Sequence, residues 1–126
     1  MKRVIIAAIL LPCMLAVGLF SMYRVNGTYD AVTRITADIL ESSRDGHSDK
    51  TESLIHDLQE RWMAEENVLT HYVRHNQIET VGQSVAKLHA LFVNDDTASL
   101  EAELYSIRWQ MENIRRSEAF QLENIL

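Results

Sequence analysis

From Val4 to Tyr23 the chain runs for twenty residues, VIIAAILLPCMLAVGLFSMY, without one charged side chain. At about 1.5 Å per helical residue the run measures roughly 30 Å, the thickness of a bilayer's hydrocarbon core. Lys2 and Arg3 precede it and only Arg24 follows closely, a distribution that holds the amino terminus in the cytoplasm and carries the rest across. Pro12 is tolerable there, because neighbours or water in a membrane helix take up the freed carbonyl. A retained anchor is the favoured reading, since the apolar character continues through Leu19, Phe20, Met22 and Tyr23, beyond a typical signal-peptide core. The alternative is a cleaved signal peptide with Ala16-Val17-Gly18 as its cleavage site. Both routes export the remainder.

Residues 1–25 thus form a cytoplasmic stub and anchor, and residues 26–126 one extracytoplasmic domain. All 18 acidic residues lie after Tyr23, against ten basic ones counted from Arg24 onward. Such a balance argues against a nucleic-acid partner or an anionic surface held by a basic face. The acidity is spread around helices and reads as a solvated surface. Cys13 is the only cysteine, and Pro12 occupies the place where a lipoprotein cysteine needs a small residue, so it reads as a small apolar group in a membrane helix. With no second cysteine, the exported domain stands on its apolar core alone.

The periodicity of that core is helical throughout. Asn26-Gly27-Thr28 reads as a turn with Thr28 as a cap, and Val32, Ile35 and Ile39 then mark a short first helix ending near Ser42. A polar stretch, SSRDGHSD, follows, with Asp49 and Glu52 in the relation of a capping box. Leu54, Leu58, Trp62, Glu65, Leu69 and Tyr72 step by three and four along a long second helix. Ile78, Val81, Val85, Leu88 and Phe92 mark a third, Asn94-Asp95-Asp96-Thr97 breaks it, and Leu100, Leu104, Ile107, Met111 and Ile114 mark a fourth. The predicted fold is all-α: a membrane helix followed by a small antiparallel bundle of three main helices plus the short first one.

One stretch invites a chemical reading. In THYVRHNQIE, His71, His75 and Glu79 recur every four residues, a spacing that on one helix could hold a metal ion. The core stripes instead put a turn around residues 75–77, with His75 ending the second helix near free carbonyls and Asn76 capping the third, Glu79 as its partner. A turn takes Glu79 away from the two histidines, and a pair at i, i+4 is incomplete for zinc. His71 and His75 remain the candidate metal ligands, with no metal or other cofactor expected. No haem-attachment CxxCH, no G-x-S-x-G and no exported cysteine nucleophile occur, and adjacent Glu65 and Glu66 point apart on a helix, so no enzyme is expected. Glu65 interrupts an apolar stripe, either paired with an arginine or histidine across the bundle or reached by solvent at its boundary.

Helix four carries a second feature. Ala102, Tyr105, Trp109 and Phe120 lie on a face roughly 100–160° from the Leu104 stripe at 100° per residue. They are covered either by the first helix, whose Val32, Ile35 and Ile39 need a partner, or by a partner protein or the headgroup zone, which suit tyrosine and tryptophan.

The membrane segment, the helix with Trp62 and Glu66, the corner Tyr72…His75-x-x-Ile78-Glu79, the run Ser84-Val85-Ala86-Lys87-Leu88 and the closing LENIL together resemble the bacterial family catalogued as domain of unknown function 4363. The resemblance implies a short anchored helical protein with no established activity, met near multi-pass membrane proteins of the YetF type, and so a partner of that kind. It brings no catalytic or ligand residues, and Phe120-Gln121 departs from it. The functional expectation is a membrane-anchored interaction module, an accessory subunit of another membrane protein with Tyr105, Trp109 and Phe120 as its partner-binding candidates. The alternative is a small-ligand or metal-sensing domain using His71 and His75.

Overall fold

The sequence's turn signal at Asn26-Gly27-Thr28 does not interrupt the chain: α1 (Lys2–Arg44) is one unbroken helix of 43 residues. In this computed structural model residues 1–71 and 73–125 are described, for 121, 122, 124 and 125 the backbone alone. The predicted membrane helix and the predicted short helix are therefore a single rod. Its second half is held by packing, with Ser21, Val25, Thr28, Val32, Thr36, Ile39 and Ser42 buried at intervals of three and four. That packing outweighs the roughly 1 kcal/mol by which an interior glycine disfavours a helix. The Thr28 hydroxyl does not cap a helix start; it donates back to the Arg24 carbonyl at 3.1 Å.

The first half of α1 is different. Within its most apolar 18 residues only 6% is buried, and Val4, Ile9, Leu11 and Leu19 all stand exposed. A core helix of a water-soluble domain would be mostly covered. It is the one helix among the described residues long and apolar enough to cross a membrane.

Three further helices complete the all-α architecture: α2 (Ser48–Leu69), α3 (His75–Val93) and α4 (Thr97–Ile125). The first connection carries Gly46 at φ 75°, a left-handed conformation that glycine adopts without strain. Asp49 is not the cap of α2. The helix begins at Ser48 after His47, and Thr51 bonds the His47 carbonyl at 2.9 Å while meeting Ser42 Oγ at 2.8 Å. At the other connection Asp95 takes φ 55°, and Asp96 Oδ1 accepts from the Ser99 amide at 3.2 Å, capping α4.

Each helix packs on two neighbours, α1 on α2 and α4, and α3 on the same two. Arg24 meets Glu65 while Ser42 meets Thr51, so α2 runs back along α1. Ser21 meets Glu118 while Arg44 meets Glu101, so α4 does the same. Both short turns lie at the end away from the apolar run. The corner between α2 and α3 and the end of α4 return to it.

The core follows the sequence stripes with three changes, one being that Phe92 of the α3 stripe only flanks it. In α3 and α4 Ile78, Val81, Val85, Leu88, Leu100, Leu104, Ile107, Met111 and Ile114 are buried. In α2 Ile55 is wholly buried and Leu54 only flanks the core; in α1 Thr36 takes the interior position while Ile35 packs at its edge. Tyr72, assigned to the α2 stripe, and the last residue of LENIL lie outside the described residues.

Candidate functional site

The feature with the richest chemistry sits where α1 leaves its apolar run. Glu65 is 9% exposed, inside the bundle rather than at a boundary open to water. Its Oε2 accepts from Arg24 at 3.2 Å and from the Thr28 hydroxyl at 3.0 Å, and Oε1 meets Arg61 Nε at 3.3 Å. A carboxylate so deep is tolerable because each oxygen meets an arginine and one also meets a hydroxyl. Arg24 and Arg61 keep side chains one-third and one-half exposed, so the cluster opens on an outward groove with Tyr23, Asn26, Gly27 and Asp30 on its walls. The sequence offered one clue, the i, i+4 spacing of Arg61 and Glu65. Arg24 stood there only as a charge flanking the apolar run.

A second polar group ties α1 to α4. Arg115 stacks 4.5 Å over the Tyr29 ring and donates to Glu112 at 2.8 Å, which draws the phenol and the carboxylate into one group, and Arg116 joins at 3.3 Å. Arg115, then Tyr29, hold the Glu112 carboxyl below its usual range. The hydrogen bond to Glu112, with burial next, raises the Tyr29 phenol. Nearer the apolar run, burial raises the Glu118 carboxyl, and a hydrogen bond from Ser21 at 3.1 Å partly offsets it.

On α4, Tyr105, Trp109 and Phe120 are exposed by 49, 68 and 63%. α1 does not cover them. Trp109 lies nine positions from Leu100 and Phe120 nine from Met111, roughly 180° around the helix in each case, so the aromatic stripe is diametrically opposed to the core. Its one described tether is Arg44, which donates to the Tyr105 hydroxyl at 3.3 Å and to Glu101 at 3.0 Å.

The histidine corner departs from its expected form. α2 ends at Leu69, and His75 is the first residue of α3, not the last of α2. It therefore sits at a helix N-terminus and has no free carbonyls of α2 to meet. Its Nε2 is 3.8 Å from Glu79 Oε2, both side chains exposed. Asn76 Oδ1 accepts from the Gln77 amide at 3.0 Å instead of capping deeper into the helix. His71 lies in the turn before it. Among the described residues no group of three histidine, cysteine, aspartate or glutamate side chains could hold a metal ion.

The α2–α3 contact is made by a large side chain on a small one. Trp62 is buried, and a β-carbon on Gly82 would lie 3.2 Å from its indole nitrogen. That N–H has no acceptor among the described residues. Filling the space against Gly82 is what places the ring there.

Residues 19–125 match the family model described as Domain of unknown function (DUF4363). The chain belongs to the DUF4363 family. The match begins just before Ser21, so for this DUF4363 member it takes in the packed part of α1, both polar clusters and the whole of α2 to α4. No curated protein and no solved structure matches the chain.

Proposed function

We propose that this DUF4363 protein is a bacterial single-pass membrane protein held by residues 4–23. Residues 1–25 form a cytoplasmic stub and anchor, and residues 26–126 a bundle on the outer side of the cell membrane. The bundle acts by binding, as a non-catalytic accessory subunit of another membrane protein, with a multi-pass protein of the YetF type as the partner. The observation that carries this reading is the stripe of Tyr105, Trp109 and Phe120, exposed on the face of α4 opposite the core. Large aromatic side chains in contact with water favour an interface, where they bury apolar area and keep a polar edge wet. The exposed apolar half of α1 supports the membrane address. Crosslinking in native membranes, followed by recovery of a co-expressed multi-pass protein, tests it. Tyr105→Ala with Trp109→Ala should abolish recovery at unchanged helicity; equal recovery from the double variant refutes the interface.

A further inference from the structure

The groove beside Glu65 contains a residue that the packing leaves unexplained. Gly27 lies in the interior of α1, and a β-carbon there would meet nothing within 4 Å. Neither a turn nor a close helix contact calls for glycine at this position, yet an interior glycine weakens a helix by about 1 kcal/mol relative to alanine. Gly82, by contrast, is explained by Trp62. An open glycine on a groove wall fits close approach by a group from outside the chain.

The neighbours of Gly27 define that group. Arg24 and Arg61 are anchored on the buried Glu65 yet remain partly exposed. A guanidinium has five N–H donors, and Glu65 is met by one nitrogen of each arginine, leaving further donors of the kind that suits phosphate. Glu65 and Asp30 balance the two arginines, so the groove as a whole is electroneutral. Position along α1 then orders the charges. Arg24 follows the last apolar residue, Tyr23, and Asp30 lies roughly 9 Å farther along the helix. In a bilayer spanned by residues 4–23 this places the arginines at the level of phosphates and Asp30 outside them, with Tyr23 at the depth where aromatic side chains gather.

We propose that this groove binds the headgroup of a zwitterionic phospholipid carrying a primary ammonium, of the phosphatidylethanolamine type. Its phosphate lies on Arg24 and Arg61, its ammonium faces Asp30, and its glycerol backbone passes Tyr23 into the membrane. The assignment rests on the reading of residues 4–23 as a membrane span, and is independent of the aromatic stripe on α4.

The test uses the full chain in nanodiscs made of equal parts phosphatidylethanolamine, phosphatidylglycerol and phosphatidylcholine, with retained lipid measured by native mass spectrometry. Wild-type protein should retain phosphatidylethanolamine selectively. Gly27→Leu, which fills the groove and leaves every charge in place, should lower that retention about tenfold at unchanged helicity. Asp30→Asn should erase the preference over phosphatidylcholine. Equal retention by Gly27→Leu, or retention without headgroup preference in wild type, overturns the site. Displacement of the lipid by an equal concentration of soluble phosphoethanolamine overturns the assignment to a lipid. Alkaline carbonate extraction of native membranes separates the two premises: release of wild-type protein overturns the span itself, whereas full membrane retention of both wild type and Gly27→Leu, with lipid lost only from the variant, supports the groove.

Discussion

Arg24 and Glu65 meet at 3.2 Å across the α1–α2 interface, one residue beyond the apolar run on one side and inside the bundle on the other. This contact, with Thr28 and Arg61 around the same carboxylate, sets the register of the two helices at the level where the apolar segment ends. Removing a donor from a buried carboxylate is worse than removing the carboxylate, because the charge stays behind without its partner. Arg24→Ala should therefore lower stability by about 1–3 kcal/mol, the loss being limited by Arg61 and Thr28. Glu65→Leu should lose less. Urea unfolding followed by circular dichroism in detergent ranks the two, and a smaller loss for Arg24→Ala contradicts the buried-charge account.

Gly27 and Gly82 make a matched pair. Alanine at 27 enters open space and gains helix propensity, so Gly27→Ala should stabilise the bundle by up to about 1 kcal/mol. Alanine at 82 meets the buried indole of Trp62 at 3.2 Å, so the ring must shift by a few tenths of an ångström to admit it. Gly82→Ala should be neutral or destabilising by about 1–2 kcal/mol. Thermal denaturation of the two single variants distinguishes them; equal gains would mean that Trp62 yields.

The Tyr29–Glu112 contact predicts pH dependence in two directions. The phenol is raised above 10.0 when folded, so its contribution is complete below 10.0 and is lost as pH rises through the folded value. The carboxyl of Glu112 is held below 4.5 when folded, so its contribution is present above 4.5 and is lost as pH falls through the folded value. Ultraviolet titration of tyrosinate should show a late midpoint for Tyr29 that returns toward the ordinary value in Glu112→Gln. No change in that variant would exclude the hydrogen bond as the cause.

For the aromatic stripe, exposure sets the energetic expectation. Tyr105→Ala together with Trp109→Ala should change unfolding stability by no more than about 0.5 kcal/mol per site, with Tyr105 losing only its contact from exposed Arg44. A drop of several kcal/mol on urea titration would instead make these residues part of the fold.

At the α2–α3 corner, equilibrium dialysis with zinc should give no stoichiometric binding. His71 lies in the turn and His75 starts the next helix beside Glu79, which leaves no preformed third ligand among the described residues. Stoichiometric binding that is lost in His71→Ala with His75→Ala would restore the metal-sensing reading.

How much of this molecule could be read from residue order varies with the kind of interaction. The stripes of α3 and α4 were legible because their interiors, Ser84 apart, are apolar and a helix repeats its face every three to four residues. α1 was not. Its interior face alternates Val25, Val32 and Ile39 with Ser21, Thr28, Thr36 and Ser42, and hydroxyls satisfied by their own helix or by a neighbouring one are invisible to a search for apolar periodicity. Asn26-Gly27 added a turn signal that packing overrode.

The apolar run, its length and its uncharged character are properties of the chain alone, as are the helical class and the core faces of α3 and α4, since each follows from local spacing and composition. Only the folded arrangement settled that the run and the first bundle helix are one rod, that Arg24 reaches Glu65, and that the aromatic stripe of α4 stays exposed, with Arg44 reaching Tyr105 at its edge. Those relations join residues dozens of positions apart. Local propensity carries no information about which side of one helix another will choose to cover; the shared burial of all four does.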